Sequence, residues 1–297
     1  MLHHVKKRLW STVSSVLAVS CTAATLGFST AATAQTATEA AVQAAQAQAA
    51  SAPVMAARGL PDGWRTELGI GLIVNPENVG GDDYNVTPIP YFDFRFFDER
   101  GTKYFANVPQ GIGGYFYRKR NQDGGFLNLG AGIAPGFNVR DGSIPGIEEI
   151  GISVEARVYL EAGAKKWSAG ATLAQDVGSG HEGAYLDLSL SRRGSIGRPG
   201  GFYAVGPVLR IGDDTYKSSF FDVGLQEPPI PVSAEYSADG GVERVGLQGL
   251  MSLPVGASKW RWTGILRASQ LIGDAADSPI VTEETQLFFL MSFTRAF

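Results

Sequence analysis

The chain has 297 residues, of which 44% are apolar and 18% charged, and its formal net charge is −4. That charged fraction is below the roughly 25% of soluble globular domains, and the acidic balance excludes a basic nucleic-acid-binding surface. The single cysteine, Cys21, lies in the N-terminal leader, so the rest of the chain excludes a disulfide framework and a thiolate metal site.

The N-terminus reads as an export signal over residues 1–34. Lys6, Lys7 and Arg8 form a basic start, "LWSTVSSVLAVS" an apolar run, and Ala32-Thr33-Ala34 a small-residue cleavage site before Gln35. A lipoprotein would use Cys21 instead, but Ala18 is a poor residue three positions before it. Cleavage removes three basic and no acidic residues and leaves a net charge of −7. It also removes His3 and His4, leaving His181 as the one histidine. Residues 35–60 are rich in Ala and Gln and read as a flexible periplasmic lead-in. Residues 61–297 form the folded part. No segment there holds about 18 uninterrupted apolar residues, the length a membrane-crossing helix needs. A membrane form must therefore be a closed barrel.

From Trp64 the hydrophobic period is two. "WRTELGIGLIV" sets Trp64, Leu68, Ile70 and Leu72 against Arg65 and Glu67. "PYFDFRFF" sets Phe92, Phe94 and Phe96 against Asp93 and Arg95. "GISVEARVYL" sets Val154, Ala156, Val158 and Leu160 against Glu155, Arg157 and Tyr159, and "AYLDLSLSRR" and "KWRWTGILRAS" repeat the pattern. These windows predict strands over 64–74, 86–97, 102–108, 112–119, 126–137, 151–162, 166–177, 184–193, 201–211, 242–254, 259–272 and 284–297. The fold class is all-β: an antiparallel transmembrane barrel of about 12 strands. Ten is the alternative, because "KYFANVPQGIGGYFYRK" reads equally as one bent strand and a loop. Strands of about ten residues, and short turns (98–101, 121–125, 163–165, 255–258) alternating with longer loops (75–85, 138–150, 212–241, 273–283), fit an outer-membrane barrel. A soluble two-sheet sandwich is the competing architecture. Trp64, Trp167, Trp260, Trp262, Phe202 and Phe297 near strand ends suit an interfacial girdle. The prolines of "QEPPIPVSAEYS" mark 212–241 as a loop, whose "SSFFDV" is apolar enough to pack into the barrel mouth.

Four stretches carry a more specific signal: "VGGDDYNVTPIPYFDFRF" (79–96), "QDVGSGHEG" (175–183), "VGPVLRIGDDTYKSSFFDV" (205–223) and "LIGDAADSPIV" (271–281), the last followed by a final strand that ends in Phe297. Together they resemble the MipA/OmpV family of outer-membrane proteins across residues 64–297. The resemblance implies a Gram-negative outer-membrane barrel in contact with lipid and lipopolysaccharide. Some members of that family are scaffolds that link a murein lytic transglycosylase to a penicillin-binding synthase, and others are discussed as adhesins or porins. It implies no catalytic residue.

The alternation assigns Arg65, Glu67, Asp93, Arg95, Glu155, Arg157, Glu161, Asp187, Arg244, Arg261 and Arg267 to the lumen. Their mixed signs fit either salt bridges that lock the barrel or a water-filled solute channel. The outer rim is expected to hold Asp82, Asp83, His181, Glu182, Asp213 and Asp214. A His among carboxylates at a mouth could position a hydrolytic water; turn chemistry accounts for the same residues without catalysis. The reading expects a scaffold or interaction protein of the cell envelope, with a small-solute channel second and a rim hydrolase third. It expects no enzyme activity, cofactor, metal or nucleic-acid partner.

Overall fold

The computed structural model describes residues 62–140, 149–197, 199–224 and 235–297. The expected signal peptide (1–34) and lead-in (35–60) lie outside them. The described residues form twelve strands: β1 (Gly63–Pro76), β2 (Tyr84–Asp98), β3 (Gly101–Asn107), β4 (Gly111–Arg120), β5 (Phe126–Gly136), β6 (Ser153–Ala164), β7 (Trp167–Asp176), β8 (Ala184–Ser195), β9 (Phe202–Gly212), β10 (Gly241–Pro254), β11 (Trp260–Leu271) and β12 (Thr285–Ala296). Each pairs antiparallel with its neighbours in sequence, and β1 pairs with β12 through Leu72↔Met291 and Val74↔Phe289, so the sheet closes on itself. The ambiguous segment 103–119 is two strands, and the count is twelve rather than ten.

The alternation sorts the residues radially. On β6, Glu155 and Glu161 are buried, while Val154, Val158 and Leu160 are exposed. Ile70 and Ile112 expose 72% and 69% of their surface, and Glu155 none. A water-soluble domain does the opposite, because large exposed apolar surfaces and buried carboxylates are both unfavourable in water. Trp64, Trp167 and Phe297 are exposed at the end that carries the short turns, and Trp260 stacks on Phe293 there at 4.7 Å. Phe202 departs from the expected girdle. It shares parity with Ala204, Val208 and Arg210 and packs inside, against a cluster that contains Leu250 and Ile265.

The connections are unequal. At the turn end β6 and β7 are joined by residues 165–166, with Lys165 at φ 52°. At the loop end they lengthen, with one exception: β3 and β4 are joined by residues 108–110 alone. The long connection after β9 is not wholly loop. Residues Asp214–Phe221 form a helix, α1, whose N-cap Asp213 accepts a hydrogen bond from the Tyr216 N–H at 2.7 Å. That cap satisfies one of the orphan donors of a helix start.

Gly206 on β9 is required by close approach. A Cβ there would lie 1.9 Å from the Leu190 carbonyl oxygen of β8. Gly206→Val is expected to force these strands apart and to cost about 1–3 kcal/mol. In a urea titration of the refolded protein, followed by its heat-modifiable gel band, the midpoint falls.

Candidate functional site: a sealed mouth over a charged interior

Ion pairs and hydrogen-bonded charges line the barrel interior. Arg210 on β9 grips Asp187 on β8 through two hydrogen bonds, and its guanidinium lies 3.9 Å from the Tyr185 ring centre. Glu155 accepts from Arg157 (2.6 Å) and from the Tyr185 hydroxyl (2.8 Å). Glu161 accepts from the Tyr115 hydroxyl and from Asn128. Glu243 holds Arg244. Nearer the turn end, Asp93 holds Arg95 at 2.7 Å, Glu67 accepts from Thr294 and faces Arg261 at 3.9 Å, and Arg65 lies over Phe97. A buried charge without a partner costs several kcal/mol, so each of these pairs offsets the desolvation of its members.

Among the described residues the interior holds a cavity of 170 Å³ towards the loop end and one of 130 Å³ towards the turn end. Pro109 and Ile265 line both. Ile265 belongs to an apolar cluster with Ile73, Tyr91, Leu250 and Leu290, which forms a waist between the two spaces.

The loop end is sealed by α1. Tyr216, Phe220 and Phe221 are fully buried against Ala174 and Tyr185 of the wall, Leu271 at the end of β11, and Ala275. Burial pushes the Tyr216 phenol above its ordinary range. All four of the specific sequence stretches meet at this seal. In "QDVGSGHEG" the Asp176 carboxylate accepts from the backbone N–H groups of Gly178 (2.8 Å), Gly180 (2.9 Å) and Glu182 (3.0 Å). That wraps the loop tightly and leaves Glu182 at φ 56°, an uncommon conformation for a residue with a side chain. Gly183 then gives α1 its seat, since a Cβ there would lie 2.2 Å from the Tyr216 nitrogen. "RIGDDTYKSSFFDV" supplies α1 itself, and Asp213 also accepts from the Ala184 N–H at 3.0 Å. "LIGDAADSPIV" forms a 3₁₀ turn (Gly273–Ala275) beneath it, where Ser278 donates to the Phe221 carbonyl at 2.6 Å and Lys217 faces Asp274 at 3.7 Å. "VGGDD" closes the far side, where the Gly80 carbonyl accepts from Thr282 at 2.8 Å and from Glu283 at 2.9 Å.

The expected rim residues therefore divide. Asp82, Asp83, Glu182, Asp213 and Asp214 are exposed at the loop end, with Asp213 capping α1 and Asp214 accepting from the Gly240 N–H at 2.6 Å. His181 departs from the solvent-facing position expected of it. Its ring is 1% exposed, between Tyr216 (4.9 Å) and Phe220 (5.8 Å), because the Asp176-centred wrap turns it inward. Nδ1 accepts from the Gly183 N–H at 3.2 Å, which leaves Nε2 facing Glu155 Oε1 at 3.5 Å. A ring enclosed in this way cannot reach a peptide bond while α1 is seated, so its role here is to pack and to orient. Among the described residues no three His, Cys, Asp or Glu side chains converge as a metal site requires.

Sequence reasoning missed Arg210 and Glu243. Arg210 was legible, since it alternates with Leu209 and Ile211. Glu243 was not: the register slips between Val242 and Arg244 on β10, so consecutive residues Glu243 and Arg244 both sit inside.

A family model described as "MltA-interacting protein MipA" matches residues 68–297. No curated protein matches the chain. Among solved structures, the CymD monoaromatic hydrocarbon channel is similar over 87% of this chain and 94% of its own, at 11% identity and a TM-score of 0.32.

Asp187→Asn removes the buried partner of Arg210 and is expected to cost about 3–5 kcal/mol. Asp187→Leu combined with Arg210→Met removes both charges and is expected to regain at least half of that loss in the same denaturant titration.

Proposed function

Because the chain belongs to the MltA-interacting protein MipA family, we propose that it is an outer-membrane barrel of a Gram-negative envelope and acts as a non-catalytic anchor for a periplasmic partner. The observation that carries this reading is the filled barrel: paired charges occupy the interior, and α1 lies buried across the loop end. A protein whose task is to stay put gains from such locking, whereas a free solute pore does not. The apolar outer face and the Trp64, Trp167 and Trp260 positions suit a bilayer with the short turns on the periplasmic side. The family name points to a murein lytic transglycosylase as the partner, with a penicillin-binding synthase joined to it, and lipid and lipopolysaccharide would surround the wall. Turns this short offer less than the roughly 1,600 Å² of a standard interface, so residues 35–60 would have to contribute by ordering on contact.

One observation favours a channel instead. The two cavities lie in series on either side of the apolar waist, and unseating α1 would open the outer one.

Two experiments separate these readings. In planar bilayers the intact protein is expected to give no steady conductance, and Phe220→Asp with Phe221→Asp, which unseats α1, is expected to give steps. Alongside, a pull-down with the transglycosylase and the synthase is expected to retain both with the full mature chain and to lose them when residues 35–60 are deleted. Steady conductance by the intact protein with no enzyme retained would reverse the ranking.

The membrane assignment has its own check. Ala156→Arg places a cation on the outward face of β6 and is expected to cost about 2–4 kcal/mol in lipid if that face meets the bilayer midplane. The cost should vanish in a comparison made at Trp167, at the turn-end boundary.

A further inference from the structure

The barrel wall has a window. Residues 93–98 of β2 pair with β3, from Asp93↔Asn107 to Asp98↔Gly101, but residues 84–92 pair with β1 alone among the described residues. The cause is the short hairpin of β3 and β4, which ends at Asn107↔Gly111. On the far side β5 runs past its last partner in β4, Ile133↔Ile112, to Gly136. There both intervening strands are missing, and among the described residues β2 and β5 are not paired with each other. Above the gap the Val79 N–H donates to the Val139 carbonyl at 3.3 Å and closes the frame.

The window is built into the fold. The 108–110 turn is pinned inward by five hydrogen bonds, one of them from the Asn107 amide to Gln110 Oε1 (3.0 Å). The Gln110 N–H donates to Asn107 Oδ1 (2.9 Å) and its side-chain amide to the Tyr115 hydroxyl (3.1 Å). The Tyr159 hydroxyl donates to the Gln110 carbonyl (2.6 Å) and Arg157 to the Pro109 carbonyl (3.3 Å). The unpaired edge of β2 carries Pro88 and Pro90 and no charged residue between 84 and 92. Sheets tolerate proline where its absent N–H faces no ladder, and proline blocks pairing with another chain. Edges in soluble proteins are commonly guarded by charge; this one is guarded without it, which suits an apolar surrounding. Val86, Ile112 and Ile133 are exposed on the outer face beside the gap.

The window leads somewhere. Pro109, Gln110 and Phe137 belong both to its frame and to the lining of the 170 Å³ cavity, whose far wall includes Ile265, Phe288 and Leu290. Four arginines line that cavity. Arg157, Arg210 and Arg244 are held by Glu155, Asp187 and Glu243. Arg267 is different. It donates to the Gln248 side-chain oxygen at 3.0 Å and lies 5.7 Å from the Phe288 ring centre, and among the described residues no carboxylate stands within ion-pair distance of it. A guanidinium in such a space favours an anionic partner, with which it forms charge-assisted hydrogen bonds.

We propose that the window is a lateral portal through which a small amphipathic carboxylate passes from the lipid into this cavity. Its head would sit on Arg267 and its hydrocarbon against Phe137, Phe288 and Leu290. A cavity of about 150 Å³ is known to take up benzene, so the space here suits a chain of about eight carbons or a single ring. The proposal rests on the barrel lying in a membrane, but not on any periplasmic partner.

The test uses the full mature chain in lipid vesicles, with octanoate as probe and Phe137→Trp as reporter. Val139→Trp serves as a second reporter should the first fail to fold. Vesicle flotation and the heat-modifiable band establish insertion first, so a failure of the membrane reading shows there and not in the binding data. The unsubstituted protein supplies the background of its own tryptophans, Trp64, Trp167, Trp260 and Trp262. Lipids brominated on the acyl chain are expected to quench the added tryptophan more than aqueous acrylamide does. Octanoate is expected to shift its emission saturably, octanol at equal bilayer content is not, and Arg267→Gln is expected to weaken the octanoate response at least tenfold. Quenching by acrylamide alone would overturn the portal. An equal response to octanol, or an unchanged response in Arg267→Gln, would overturn the carboxylate site.

Discussion

The structure depends on one constraint: a charge inside a closed sheet must be compensated, by an opposite charge or by polar groups, inside the same sheet. The β1·β12 pairing closes the sheet on itself, but it also sends each inward side chain into a narrow shared space. The response is pairing between neighbouring strands. Asp187 and Arg210 stand directly opposite each other on β8 and β9, so strand register and ion pairing enforce one another. A slip of one residue between these strands would turn one of the two charges outward and leave the other inside without its partner. The interior charges thus fix register as well as fill volume.

Sealing follows from the same logic at the loop end. Backbone groups in a loop have no ladder, and burying them demands substitutes. Asp176 and Asp213 supply these with side-chain oxygens, Asp176 to three N–H groups of the 177–183 loop, Asp213 to the start of α1 and to Ala184. These two carboxylates satisfy backbone donors beside the buried Tyr216, Phe220 and Phe221. The acidic character of the loop end is therefore partly structural.

Much of the barrel was legible in the sequence because a period of two admits few alternatives once the apolar side is continuous. Val154, Ala156, Val158 and Leu160 could be placed on one face from spacing alone. What was hidden depends on contacts that spacing does not encode. The inward turn of His181 results from three hydrogen bonds to one carboxylate, and "DVGSGHEG" on its own reads as a turn. The eight-residue α1 sits close to a proline-rich stretch that argues against helix, although Asp213-Asp214 ahead of "TYKSSFF" is a recognisable cap. Phe202 was assigned by its place near a strand end, when its parity with Ala204 and Arg210 pointed inward. The slip at Glu243 leaves no mark on the pattern, because a bulge alters alternation only once both neighbours are known.

Val223 and Tyr236 exchange backbone hydrogen bonds at 2.9 Å in each direction, and Tyr236 continues inward to the Asp274 carbonyl at 2.6 Å. This clasp closes the chain on the barrel side of residues 225–234. Because the clasp already joins Val223 to Tyr236, an insertion between them lengthens a stretch of chain whose two ends are fixed, and the entropic cost of closing it grows only slowly with length. Drift in that sequence and integrity of the seal are therefore separable at a single pair of residues.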